Sequence, residues 1–236
     1  MNSRRILVTG ATGETGRYTT QLLLSQGFRV RAFVHKVDAR SDQLKALGAE
    51  IAVGDLLELE DVRSALKEVS AAYFVYPIRP GLINATAYFA QAAKDAGLDG
   101  VVNMSQISAR HDSKSHAARD HWIAERVFDW SGIPVTHIRP TFFAQWLTYP
   151  HNRKHILERG VISQPLGHGR HAPIAAEDQA RLIAAILANP APRFSGTPAG
   201  EPTPMPDPGA HTRPVFTEAG LTEAEIDELV ARRVLA

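Results

Sequence analysis

An alternation that runs unbroken from Arg4 to Ile138 constrains this chain most. Six short apolar or β-branched runs, Arg4–Thr9, Arg29–Val34, Ile51–Val53, Ala72–Tyr76, Gly100–Met104 and Pro134–Ile138, are separated by five helix-patterned segments. Those segments cover about Glu14–Gln26, Ser41–Leu47, Glu58–Val69, Leu82–Ala96 and Ala117–Trp130. A helix of 10–15 residues between two strands returns the chain to the same end of a sheet, so such strands pair in parallel. Right-handed crossovers then put helices on both faces. The expectation is an α/β fold, a doubly wound, Rossmann-like parallel sheet. Gly27, Gly48, Gly97 and Gly132 each stand where a helix would stop, so punctuation agrees with periodicity.

Beyond Pro140 the pattern loosens. Thr141–Tyr149 is irregular, His151–Arg159 is a basic helix-like piece, Val161–Ser163 is strand-like, a glycine loop follows, and Ala176–Ala188 is a helix. Eight of the 15 prolines fall within residues 190–214, which excludes a regular helix or a central strand there. Thr222-Glu-Ala-Glu225 has the capping-box pattern ahead of a short helix ending near Arg233. The expected division is 1–140 for nucleotide binding, 141–189 for a small substrate-side subdomain, and 190–236 for a Pro-rich tail.

Charge and cysteine content narrow the function. With 26 Lys and Arg against 25 Asp and Glu, no field gathers nucleic acid or an anionic membrane. No cysteine is present, which removes disulfides, thiolate nucleophiles and Cys-ligated metals. The residues after Met1 run directly into a strand, and no apolar stretch of about 18 residues occurs. A soluble cytoplasmic protein is expected, with no nucleic-acid or membrane partner. Seven histidines lie from His111 to His168, but His151 and His155 have no evident third ligand, so no metal site is expected.

Between the first run and the first helix stands Val8-Thr-Gly10-Ala-Thr12-Gly13-Glu14-Thr15-Gly16. The first glycine permits a tight turn, the second lets backbone N–H groups approach a pyrophosphate, and the third lets the helix lie close on the strand. Gly10, Thr12, Gly13, Glu14, Thr15 and Gly16 are therefore candidate cofactor contacts. The spacing GxxGxxG resembles the extended and atypical branches of the short-chain dehydrogenase superfamily. "RVRAFVHK", "VGDLLELEDVRSALKEV", "VVNMSQISA", "HWIAERVFDWSGIPVTHIRPTFF" and "GHGRHAPIAAEDQARLIAAIL" resemble its NmrA-like group, over about residues 4 to 188.

Charge at the end of the second strand bears on cofactor choice, because a 2′-phosphate needs cations where NAD sites place a carboxylate. Arg31, His35 and Lys36 are the candidates, Asp38 is a weaker ribose ligand, and NADP(H) is the expected cofactor. The resemblance puts Asp55 and Leu56 along the adenine, although Asp55 could equally cap the following helix, and puts Tyr76 and Pro77 beside the nicotinamide ribose. It matches Ser105 to the catalytic serine, while Ala117 and His121 stand where the YxxxK tyrosine and lysine would be. His121 and Glu125, one turn apart, form a candidate proton relay. Phe142, Phe143, Trp146 and Tyr149 form a candidate apolar wall for a small hydrophobic substrate.

The resemblance therefore implies an NADPH-dependent oxidoreductase acting on a carbonyl, quinone or activated C=C. The missing tyrosine and lysine leave open a redox-sensing regulator that binds NADP(H) without turnover. A homodimer is a family-level expectation. The last 45 or so residues, from "RFSGTP" onward, resemble the end of class III CoA-transferases and carry none of that family's catalytic residues.

Overall fold

The fold comes from a computed structural model, which describes residues 4–160, 172–189, 217 and 222–231. Six strands and five helices alternate as the periodicity predicts: β1 (Arg5–Val8), α1 (Glu14–Ser25), β2 (Arg29–Val34), α2 (Ala39–Ala46), β3 (Glu50–Val53), α3 (Leu59–Leu66), β4 (Ala71–Phe74), α4 (Leu82–Asp95), β5 (Gly100–Met104), α5 (His116–Ser131) and β6 (Val135–Ile138). All pairs are parallel, in the order β3-β2-β1-β4-β5-β6. This is the doubly wound Rossmann-like sheet. Chain direction across the sheet reverses between β1 and β4, and such a switch point opens a crevice at the carboxyl ends of the strands.

Both sheet faces are buried, which is why the strands read as near-continuous apolar runs. Leu7, Phe33, Ala72, Phe74 and Val101 point into one core with α3, α4 and α5, where Phe74, Phe89 and Phe128 stack at 4.8–6.4 Å. Their neighbours Ile6, Val8, Ala32, Val34, Tyr73 and Val102 point into a second core with α1 and α2. Ile183, Ala184 and Leu187 complete that core from α7 (Ala176–Ala188).

After β6 the chain is extended through Phe143, which bridges to Ile174, then forms a 3-10 turn (Ala144–Thr148) and α6 (Pro150–Arg159). The expected strand Val161–Ser163, the glycine loop at 166–171 and the Pro-rich run at 190–214 lie outside the described residues. So does most of the stretch resembling CoA-transferases. The chain divides into two compact units, Met1–Ala191 and Pro192–Ala236, the second containing α8 (Glu223–Ala231). Among the described residues no helix is long and apolar enough to cross a membrane.

Candidate cofactor and acceptor site

The glycine loop is built by exclusion of side chains. A Cβ on Gly10 would lie 2.7 Å from Val75 Cγ1, and one on Gly16 would lie 2.2 Å from the Gly10 carbonyl oxygen. Gly10 also has φ +55°, where L residues are strained. The Gly13 N–H donates to Gly10 O at 2.9 Å, closing the turn. Gly13 is the N-cap of α1, and no side chain caps that end, so the first-turn N–H groups face the crevice uncovered by protein. Thr9 ties the loop to the switch point: its Oγ1 accepts from Val75 N at 2.8 Å and donates to Val75 O at 3.1 Å. The cradle fits a pyrophosphate, with the backbone of Thr12 to Gly16 supplying the donors.

At the end of β2 the sequence expectation divides. Arg31 is buried and does not reach the crevice: its guanidinium donates to Glu50 Oε1 at 2.9 Å and to the carbonyls of Ala65 and Lys67 at 2.6 and 2.8 Å. It closes the carboxyl end of α3 and pins β3, so its expected contact with a 2′-phosphate is corrected. Register explains this, since Arg31 pairs with Leu7 and Glu50, well before the strand ends. His35 and Lys36 are exposed in the loop that follows, His35 Nδ1 standing 3.8 Å from Asp55 Oδ2. Asp38 is the N-cap of α2, accepting from the N–H groups of Arg40 and Ser41, and pairs with the Arg40 guanidinium at 2.6 Å. Those hydrogen bonds hold its carboxyl below the usual carboxylate range, Arg40's foremost. Arg40, Arg17, Thr12 and Gly13 line one cavity of about 520 Å³ between the glycine loop and α2.

Asp55 does not cap α3, whose N-cap is Glu58. It makes a local turn, accepting from Leu57 N at 2.9 Å, while its own N–H donates to Asp61. Leu56 packs against the core of α3 and α4. Tyr76 is buried and donates to Pro80 O at 3.1 Å, bracing the loop after β4, whereas Pro77 is exposed. Pro77, Ile78, Arg79 and Leu82 face Ala117 and His121 of α5 across a cavity of about 290 Å³, also lined by His116 and Asp120.

The expected relay is rearranged. Glu125 is fully buried and gives both carboxylate oxygens to Arg139, at 2.8 and 2.5 Å, and makes no hydrogen bond to His121. Burial alone would raise its carboxyl, but the hydrogen bonds from Arg139, helped by Ser105 and the Arg139 charge, hold it below the usual range. Glu125 thus braces α5 against the end of β6 and is not a relay partner. His121 is buried, and burial pushes its imidazole below the ordinary value against the opposing charges of Glu125 and Asp120. Ser105, just past β5, is buried, with its hydroxyl near Glu125 but in hydrogen-bond geometry with nothing. Phe142, Phe143, Trp146 and Tyr149 are half-buried along the segment after β6, with Phe142 edge-on to Trp146 at 5.9 Å. They do not line the 290 Å³ cavity. Among the described residues no group of three or more His, Asp or Glu is placed to hold a metal.

A family model described as NAD(P)H-binding matches residues 10–190. The chain belongs to that family. It is 33% identical over 187 residues to an NAD(P)H azoreductase of Xenophilus azovorans, covering 78% of this chain and 64% of that protein. Triphenylmethane reductase of Citrobacter sp. superposes with a TM-score of 0.68 at 25% identity, covering 78% of this chain and 64% of the other. An NADPH-dependent quinone oxidoreductase of Escherichia coli, solved with NADPH, gives 0.69 at 25% identity, covering 79% and 65%. The chain therefore spans just under two thirds of these relatives.

Sequence reasoning missed two residues. Arg139 meets Glu125 of α5 from just beyond β6, a contact set by how α5 packs on the sheet and not by local spacing. Arg40 was passed over, although Asp38-x-Arg40 at a helix start was a readable signal.

Proposed function

We propose that this NAD(P)H-binding protein is an oxidoreductase that prefers NADP(H) and reduces a small, hydrophobic, electron-poor acceptor such as a quinone, azo or other conjugated group. One observation carries the reading: a glycine cradle and a half-apolar cavity open on the same carboxyl edge of the sheet, either side of the switch point. Residues 1–140 would hold the dinucleotide through Gly10, Thr12, Gly13, Glu14, Thr15 and Gly16, with His35 and Lys36 near its 2′-phosphate and Asp55, Leu56, Tyr76 and Pro77 along its length. Residues 141–189 would cover the acceptor, with the aromatic segment from Phe142 to Tyr149 as its outer wall. When bound, the cofactor supplies hydride.

This chain's residues then do little acid catalysis. Ala117 leaves open space where a phenol would stand, and a buried, neutral His121 is a weak donor. The Ser105 hydroxyl, which has the Glu125 carboxylate beside it and no well-formed hydrogen bond, would donate to an acceptor atom. A site of this kind suits acceptors whose reduced form is a stabilised anion, because positioning contributes more than proton transfer. The azoreductase and the quinone oxidoreductase among its relatives point to the same class. The test follows NADPH oxidation against quinones, azo compounds and simple ketones. Turnover of the first two and not of ketones supports the reading. Turnover of none, with NADP⁺ and NADPH affinities far apart, would replace it with the sensor that the missing tyrosine and lysine favour.

A further inference from the structure

We propose that Arg40 selects the cofactor's 2′-phosphate and that its partner Asp38 keeps the same site open to NADH; the proposal rests on the NAD(P)H reading above. The argument starts from strand order. β2 lies beside β1, so a dinucleotide whose pyrophosphate sits at the start of α1 places its adenosine ribose at the β2 end. Asp38 follows Gly16 by 22 residues, close to the position where a carboxylate meets the ribose 2′-hydroxyl. An arginine nearby is what a 2′-phosphate requires instead. Here the carboxylate and the arginine are partners.

The two are unequally free. Asp38 Oδ1 accepts from Arg40 N and Ser41 N, at 2.9 and 3.2 Å, and the fully buried Ser41 returns a contact to Asp38 N at 2.9 Å. This reciprocal capping box fixes the carboxylate in place. The Arg40 side chain is 63% exposed and held only by Asp38 Oδ2, and an exposed ion pair of this kind is weak. A phosphate dianion offers the guanidinium a bidentate, stronger partner in the cavity that Arg40 shares with Thr12 and Gly13. With a 2′-hydroxyl there is nothing to draw Arg40 away, and the Asp38 carboxylate, still paired with it, accepts from the ribose through its remaining lone pairs.

The other cations fit the role less well. Arg31 is spent on Glu50 and the end of α3, and Arg17 stands on α1, one residue past Gly16, and not in the segment after β2. Lys36 is exposed and contributes a point charge without bidentate geometry. Because Asp38 cannot leave, its charge opposes the phosphate, so NADPH should exceed NADH by about tenfold and not by the large factors of a strictly specific site.

The test is calorimetric titration of the full chain with NADPH, NADH, 2′,5′-ADP and 5′-AMP. Arg40→Gln should weaken NADPH and 2′,5′-ADP by about tenfold or more and leave NADH and 5′-AMP within about twofold. Asp38→Asn, which preserves the cap while removing the charge, should tighten NADPH severalfold and weaken NADH. Equal losses for both dinucleotides in Arg40→Gln, or an unchanged preference, would overturn the assignment. If the unsubstituted chain binds neither dinucleotide, the cofactor reading and this assignment fall together.

Discussion

Replacing Gly16 with alanine tests the cradle most directly. By helix propensity alone the change should stabilise α1 by up to about 1 kcal/mol. The added Cβ, however, would sit 2.2 Å from Gly10 O, 2.8 Å from Gly10 C and 2.9 Å from Ala11 Cα, where ordinary contact begins at 3.4 Å. All three are backbone atoms, so no rotamer change relieves the overlap and the β1–α1 turn itself must open. Overpacking of that kind costs about 1–3 kcal/mol, and loss of the Gly13–Gly10 hydrogen bond adds to it, so we expect a net loss of about 2 kcal/mol. In a unit of this size that is a fall in Tm of about 4–8 °C. NADPH affinity should fall with it by at least about tenfold, because the displaced N–H groups are the proposed phosphate donors. Gly27→Ala is the control. It has φ +81° and nothing within 4 Å, so it should cost about 1 kcal/mol of strain and leave NADPH affinity unchanged. Thermal unfolding and NADPH titration of both variants decide the matter. A Gly16→Ala protein as stable as the parent and binding NADPH normally would refute the reasoning.

Removing Arg139 tests the brace at α5. Arg139→Ala leaves the fully buried Glu125 carboxylate with only Arg126 at 3.6 Å as a counter-charge and should cost about 3 kcal/mol, at the low end for buried pairs because the Arg139 side chain is 43% exposed. Its pH dependence should reverse. In the parent, Glu125 titrates below its unfolded value, so its stabilisation is present above about pH 4.3 and is lost as pH falls through the lower folded value. In the variant burial dominates and the folded value is raised, so stability declines as pH rises through the same region; urea midpoints across pH would expose an unreversed slope. His121 gives a second pH signature: its depressed folded value means the unfolded chain takes up the proton first, so stability drops as pH falls below about 6.5, and His121→Gln should remove that component. Ser105→Ala deletes a hydroxyl that lies beside the Glu125 carboxylate without a well-formed hydrogen bond, so stability should fall by no more than about 1 kcal/mol while kcat drops by at least about tenfold; an unchanged kcat would remove Ser105 from the reaction.

The sheet was legible because the inner strands β1, β2, β4 and β5 bury both faces, leaving apolar runs that no alternating surface strand would give. Helix boundaries were good where sterics punctuate: α4 and α7 start where periodicity predicts, and Gly27, Gly48, Gly97 and Gly132 all have positive φ after their helices. α2 starts two residues before the expected Ser41, because Asp38 in the loop after β2 caps the helix. The side-chain errors share one cause. Arg31 and Glu125 were read by type and local spacing, but their partners, Glu50 with the end of α3 and Arg139 after β6, depend on strand register and on how α5 packs on the sheet. A buried charge must find a counter-charge, and sequence shows the need without showing which residue meets it.

The two sites differ in how they hold charge, and that difference predicts where cofactor affinity resides. At the nicotinamide end the lysine that would grip a ribose is a buried His121, held towards the neutral form, and Glu125 with Arg139 is already neutralised. Among the described residues Arg79 is the Lys or Arg that lines the 290 Å³ cavity, and it lies over the Tyr76 ring at 5.3 Å. At the phosphate end stand the uncapped start of α1, Lys36 and a releasable Arg40. Binding should therefore be carried by the phosphates, and fragments should reveal it. 2′,5′-ADP should retain most of the binding free energy of NADPH, with an affinity that falls as salt rises, whereas nicotinamide mononucleotide should bind barely at all. Comparable affinities for the two fragments would mean that the acceptor side grips the cofactor through contacts other than charge, and the account of a weakly held nicotinamide would fail.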